Sequence, residues 1–203
     1  MAEFKAPIAN SWDLDGIIIG REGISNKFSA WKGKLKPSSN LPLSFKDVPP
    51  IIRNIAEAIS FSASSRRKVL PEAVKALELA KRDGIDNYGN TGRLDKKKWR
   101  VITESTLEAG KARDLLKKIF YTDPGLSTVV SKAEAIRELR QSYLRVRHID
   151  DDPKTAFYLA SKFPDMTVYL VQYGRKGLLY SKTETDKFPN LKRITKLQEI
   201  SRD

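Results

Sequence analysis

Beyond residue 68 the apolar positions follow two periods, and each period predicts an element. PEAVKALELAKRDG (71–84) sets Ala73, Val74, Leu77 and Ala80 on one helical face, with Pro71 at its start and Gly84 as its stop. KKKWRVITESTLEAG (96–110) predicts a second helix, and SKAEAIRELRQSYL (131–144) a third, with Ala133, Ile136, Leu139 and Tyr143 at helical spacing. PKTAFYLASKF (153–163) predicts a fourth, with Pro153 in its first turn. Between them lie short runs that read as strands: LKKIFYTD (116–123), RVRHID (145–150) and the strongly apolar MTVYLVQYG (166–174). PIANSWDL (7–14) predicts an earlier buried strand, IDNYGNTGR (85–93) a short one, and PNLKRITKLQEI closes the chain.

Strand alternating with helix predicts a Rossmann-like three-layer α/β/α fold with a mostly parallel sheet covered on both faces. Residues 17–68 break the alternation. They carry Gly20, Gly23, Gly33, four prolines and many Ser and Lys, with one helical piece, VPPIIRNIAEAISF, after the prolines. The expected organisation is therefore a core of 1–16 and 69–203 with a small cap or lid inserted at 17–68. Asn10 and Ser11 make the first strand polar for the centre of a parallel sheet, and IDNYGN is more polar still.

Composition narrows the chemistry. Without a cysteine in the chain, thiolate metal sites, iron–sulfur ligation, thiol nucleophiles and disulfide frameworks are excluded. With His148 as the one imidazole, a multi-histidine metal site is excluded too, and no nucleophile-elbow sequence accompanies it. No apolar run has signal-peptide or membrane-span form, so a soluble, cytoplasmic protein is expected. The 38 Lys and Arg against 25 Asp and Glu leave a formal charge of +13. That excess fits an anionic partner and equally fits the charged surfaces of proteins from hot habitats.

In open parallel sheets, ligands bind at the carboxyl ends of the strands. Here those ends carry Asp13 and Asp15, Thr91, and Asp150 to Asp152, and a following helix brings Lys132. Converging carboxylates repel unless a cation sits between them, and oxygen ligands without His or Cys suit magnesium. A carboxylate can also attack phosphorus and divide one displacement into two.

Taken in order, DLDG (13–16), TGR (91–93), Lys132 in SKAEAIREL and HIDDDPKTA (148–156) resemble the four motifs of the haloacid dehalogenase-like (HAD) phosphohydrolases. The resemblance covers 8–16 and most of 69–200. It implies that Asp13 is the nucleophile and carries an aspartyl phosphate, and that Asp15 is the general acid and base, its backbone carbonyl facing the metal. It implies further that Thr91, with Gly92 and Arg93 beside it, binds the phosphoryl group or substrate, and that Lys132 neutralises both. Mg2+ would be held by Asp13, Asp15, Asp150 and Asp151. An acid at Asp15 marks phosphoryl transfer rather than dehalogenation in this family. Ile17 stands where the family usually has Thr or Val, keeping a β-branched residue.

The expected activity is thus a magnesium-dependent phosphatase acting on a phosphomonoester, either a small molecule or a nucleotide or nucleic-acid end. The alternative is a basic nucleic-acid-binding module on the same fold with little turnover, and a phosphotransferase would differ only in the acceptor. Asp152 is assigned to capping the helix at Pro153, with the metal register open by one residue. His148 is assigned to packing beside the sheet, and Trp12 and Trp31 to buried packing ahead of lining the site mouth, while Lys32, Lys34, Lys36 and Arg66, Arg67, Lys68 border the insertion, where receiving an extended anion and forming a solvated face are equal readings.

Overall fold

Polar residues in the central strands do not prevent a buried parallel sheet here, because they hydrogen-bond to one another across it. The structure is a computed structural model and describes residues 7–20, 50–172 and 186–202. Its strands are β1 (Ile8–Trp12), β2 (Asp86–Leu94), β3 (Lys118–Thr122), β4 (Arg145–Asp150), β5 (Thr167–Val171) and β6 (Leu191–Ile194). They form one six-stranded sheet in the order β3-β2-β1-β4-β5-β6. All five pairings are parallel. The closing segment PNLKRITKLQEI thus supplies an edge strand followed by a 3-10 turn, Leu197–Arg202.

The helices are α1 (Pro50–Ser64), α2 (Pro71–Arg82), α3 (Lys97–Ala109), α4 (Thr128–Ser142) and α5 (Pro153–Lys162). Proline at the first turn costs α2 and α5 nothing, because that N–H has no partner inside a helix. Ser127 caps α4, accepting from the amide of Val130, so this helix starts one turn before the stretch that the apolar spacing marks.

Two apolar cores cover the two faces. Trp12, Leu14, Leu77, Leu107 and Ile149 lie in the one that holds α2 and the end of α3; Ile136, Leu139, Phe157, Leu159 and Val168 lie in the other, under α4 and α5. Ile17, Ile18 and Ile19 are fully buried in the first core rather than in an insertion. The core segment therefore runs through Gly20, whose N–H donates to the Lys68 carbonyl at 2.9 Å, while Leu70 N–H donates to Ile18 at 2.8 Å. Residues 21–49, with Trp31 and Lys32, Lys34 and Lys36, lie outside the described residues.

Strand order puts β1 and β4 side by side at the sheet centre, with Ser11 opposite His148 and Trp12 opposite Ile149. Asp13 continues this ladder through its N–H to the Ile149 carbonyl, 2.8 Å. The chain ends that carry Asp13 and Asp150 are thereby fixed next to each other.

Candidate active site

Lys132 is where the site closes electrostatically. It rises from α4, is 3% exposed, and its ammonium donates to Asp13 Oδ1 at 2.8 Å and Asp150 Oδ2 at 2.7 Å. Burial pushes its pKa down, but the charges of Asp13 and Asp150 outweigh burial and raise it. Burial likewise pushes Asp150 up, and Lys132 and the His148 hydrogen bond hold it well below the usual carboxylate range. Both groups are charged in the folded protein. Lys132 and Asp13, 119 residues apart in the sequence, thus meet in one ion pair.

Asp151 joins from the loop after β4. Oxygens of Asp13, Asp150 and Asp151 lie within 4.8 Å of one another, close enough to share one cation. Gly16 makes this possible: its φ is +105°, and a Cβ there would run into the Asp151 carboxylate. Asp152 turns away to cap α5, accepting from Thr155 N at 3.3 Å and Thr155 Oγ1 at 2.7 Å. Three clustered carboxylates, two of them bonded to one ammonium, offer only oxygen donors and fit a hard divalent ion such as magnesium.

Asp15 is placed differently from the cluster. Its carboxylate accepts from Arg93 Nε at 2.9 Å and Nη2 at 2.8 Å, and from Arg67 Nη1 at 2.7 Å. The side chain of Asp15 therefore faces two guanidiniums, and the carboxylates that group together are Asp13, Asp150 and Asp151. Arg93 is 2% exposed at the side chain; burial lowers its pKa, and the charge of Asp15 outweighs this and raises it. Its remaining nitrogen donates to Thr103 of α3 at 2.9 Å, and its Cζ lies 6.0 Å from the centroid of the Trp99 ring.

Thr91 lies inside β2 where its register with β3 shifts between Asn90 and Leu94; it is 1% exposed, its hydroxyl accepting from Arg93 N at 3.2 Å. Gly92 follows, exposed, where a Cβ would press on Thr128 at the start of α4. TGR is thus the irregular stretch of β2 from which Arg93 reaches Asp15.

Behind the carboxylates runs a buried chain that packing alone does not explain. Asn90 Nδ2 donates to Ser11 Oγ at 3.1 Å, Ser11 Oγ is 3.1 Å from His148 Nδ1, and His148 Nε2 is 3.0 Å from Asp150 Oδ2. Burial and the Lys132 charge together lower the His148 pKa, so the ring is neutral. A neutral ring that faces a carboxylate through Nε2 carries its hydrogen there, and Nδ1 then accepts from Ser11. His148 is therefore more than a strand residue beside the sheet. The polar positions of β1 and β2 are the signal for this relay. Arg67 is the other site residue that motif spacing does not point to.

The sequence matches no protein-family model, and no curated protein matches it. Solved structures do match. A predicted phosphatase from Clostridium acetobutylicum superposes with a TM-score of 0.64 at 15% identity over 98% of both chains. A haloacid dehalogenase-like family hydrolase from Streptococcus pneumoniae gives 0.60 at 13% over 96% of both. A β-phosphoglucomutase from Pyrococcus sp. strain ST 04 gives 0.57 at 14% over 95% of this chain and 94% of that one. At such identities the likeness is one of fold: this chain has the Rossmann-like α/β fold of the HAD hydrolases.

Proposed function

We propose that the chain is a magnesium-dependent HAD-type phosphohydrolase whose nucleophile is Asp13. The observation that carries the reading is the convergence of Asp13, Asp150 and Asp151 with Lys132 at the carboxyl end of a parallel sheet. The fold shared with a phosphatase and a phosphoglucomutase supports it further.

In this reading the Asp13 carboxylate attacks phosphorus, the bond from phosphorus to the leaving oxygen breaks, and the phosphoryl group rests on Asp13 as an acyl phosphate. Lys132 spreads positive charge over the nucleophile and the transferred group. Thr91 and the exposed Gly92 border the phosphoryl oxygens from β2. Asp15 stands on the leaving-group side, held by Arg67 and Arg93. It moves the protons of the two steps, to the departing oxygen and from the attacking water. Asp13, Asp150 and Asp151, with the Asp15 backbone carbonyl, would hold Mg2+. Once bound, it would supply charge neutralisation to the phosphoryl oxygens.

Phosphate release from an aryl phosphate, with and without Mg2+, tests the reading. We expect metal-dependent turnover that falls by roughly three orders of magnitude or more in Asp13→Asn, with the fold intact by circular dichroism. No turnover from the folded native chain, or halide release from a 2-haloacid instead, rules the reading out.

A further inference from the structure

The Asp15 side of the site is walled by cations that come from separate parts of the chain. Arg67 and Arg93 close on Asp15 from the end of the α1 segment and from β2. The Arg66-Arg67-Lys68 cluster is pinned beside the 15–20 turn by the backbone bond from Gly20 to Lys68. A second cluster, Lys96-Lys97-Lys98, opens α3. It is drawn to the same place by Glu57 of α1, which takes Lys96 at 2.6 Å and Lys98 at 2.9 Å. Trp99 ties this group to the first, donating to Glu57 at 3.3 Å while Arg93 lies over its ring.

The carboxylates within this region point inward: Asp15 to the two guanidiniums, Glu57 into the α1–α3 contact. Arg66, Lys68, Lys97 and Lys98 are exposed around them. A solvated face has no need of two clusters brought together on one side of a reactive centre. Glu57 is taken up by the lysine cluster, Asp15 lies between the two guanidiniums, and the exposed Asp95 pairs with Arg100, so Arg66, Lys68 and Lys97 direct positive charge outward.

Resting on the phosphohydrolase reading, we infer that the leaving group is itself polyanionic: the substrate is the phosphorylated end of a nucleic-acid strand. Its terminal phosphate meets Asp13, and its following backbone phosphates lie on Arg66, Lys68 and Lys97. Hydrolysis then breaks the terminal ester, giving inorganic phosphate and a free hydroxyl end, with water as the other reactant. A strand presents evenly repeated charges, and a rim of flexible Lys and Arg takes such charges without base selectivity.

The test compares initial rates of the full chain with Mg2+ on a terminally phosphorylated oligonucleotide, a mononucleotide and an aryl phosphate across a salt series. We expect kcat/KM for the oligonucleotide to exceed that for the mononucleotide by about tenfold or more at low salt. It should fall with a log–log slope of about −0.7 per phosphate contact, while the aryl phosphate stays nearly flat. Arg66→Ala/Lys68→Ala/Lys97→Ala should cut the oligonucleotide value about tenfold and flatten its slope, leaving aryl phosphate turnover unchanged. Equal rates on oligonucleotide and mononucleotide, or an unchanged slope in the triple variant, each overturns the inference. Failure of the underlying reading looks different: the folded native chain then releases no phosphate from the aryl ester.

Discussion

At Asp150 a single carboxylate is asked to hold several partners, and its hydrogen bonds show how it is kept in one orientation. Oδ1 accepts from the Asp152 amide at 2.8 Å, and Oδ2 takes both Lys132 and His148. His148 is in turn aimed by Ser11 and Asn90. A ring that orients a metal-side carboxylate typically changes affinity or activity by about 10- to 100-fold when removed. His148→Leu should therefore lower kcat/KM by about that factor and raise the Mg2+ concentration needed, and His148→Gln, which keeps an N–H donor on the ring's far side, should recover part of it. As the one histidine, His148 gives one pair of imidazole nitrogen resonances, and they should report the Nε2–H tautomer in the native chain and a change in Ser11→Ala. Its lowered pKa fixes a sign as well. Below its ordinary value of 6.5 the unfolded ring takes a proton that the buried ring refuses, so stability falls as pH drops through that point. Denaturation midpoints of His148→Leu should lack this slope; an identical slope would show that another group carries it.

α1 is held against α3 partly by a group that titrates. Glu57 is buried against Trp99 and between Lys96 and Lys98; burial raises its pKa, and the two lysines outweigh it and hold it at about 2, from an ordinary 4.5. A carboxyl lowered on folding adds stability above 4.5, and that stability is lost as pH falls through about 2. Because both lysines are about half exposed, the contribution is about 1 to 2 kcal/mol. Glu57→Gln should be less stable than the native chain by that amount at pH 7, with the two converging as pH falls toward 2; a constant gap would assign the loss to packing. Helices with a clear apolar face and a proline start, α2 and α5, are legible from spacing, and so are the apolar β3 and β5. β1 and β2 are harder to read, because Asn10, Asn87 and Asn90 mimic loop composition. They are central strands because each polar group is answered inside: Asn87 Oδ1 accepts from Trp12 at 2.8 Å, and Asn10 Oδ1 from Arg147 at 2.9 Å. The motif carboxylates and Lys132 could be picked out because their chemistry is in the residue type. Arg67 could not, since one arginine in a basic run differs from its neighbours only through the turn that brings it to Asp15.

For the whole molecule, the charge of +13 and the chain's organisation meet at the junction of Gly20 and Lys68. Many outward cations elsewhere are paired, as Lys117 is with Asp86 and Arg140 with Asp165, and exposed pairs of that kind add little to stability. The junction has a mechanical consequence. Gly20 N and Lys68 O are bonded at 2.9 Å, so everything from 21 to 67 starts and ends at one point on the core. Replacing residues 21–64 by a short Gly/Ser linker, with Arg67 retained, costs little in closure entropy because the ends already meet. It removes Glu57 and the edge-on contact of Phe61 with Trp99, 5.3 Å between ring centroids. Trp99, 4% exposed in the full chain, would then face water. We expect a cooperative thermal transition lowered by roughly 5 °C, corresponding to about 2 kcal/mol, with aryl phosphate turnover retained because Asp13, Asp150, Asp151 and Lys132 all stay. Loss of cooperative unfolding in the excised chain would instead make 21–64 part of the folding unit, and the division into core and cap would fall with it.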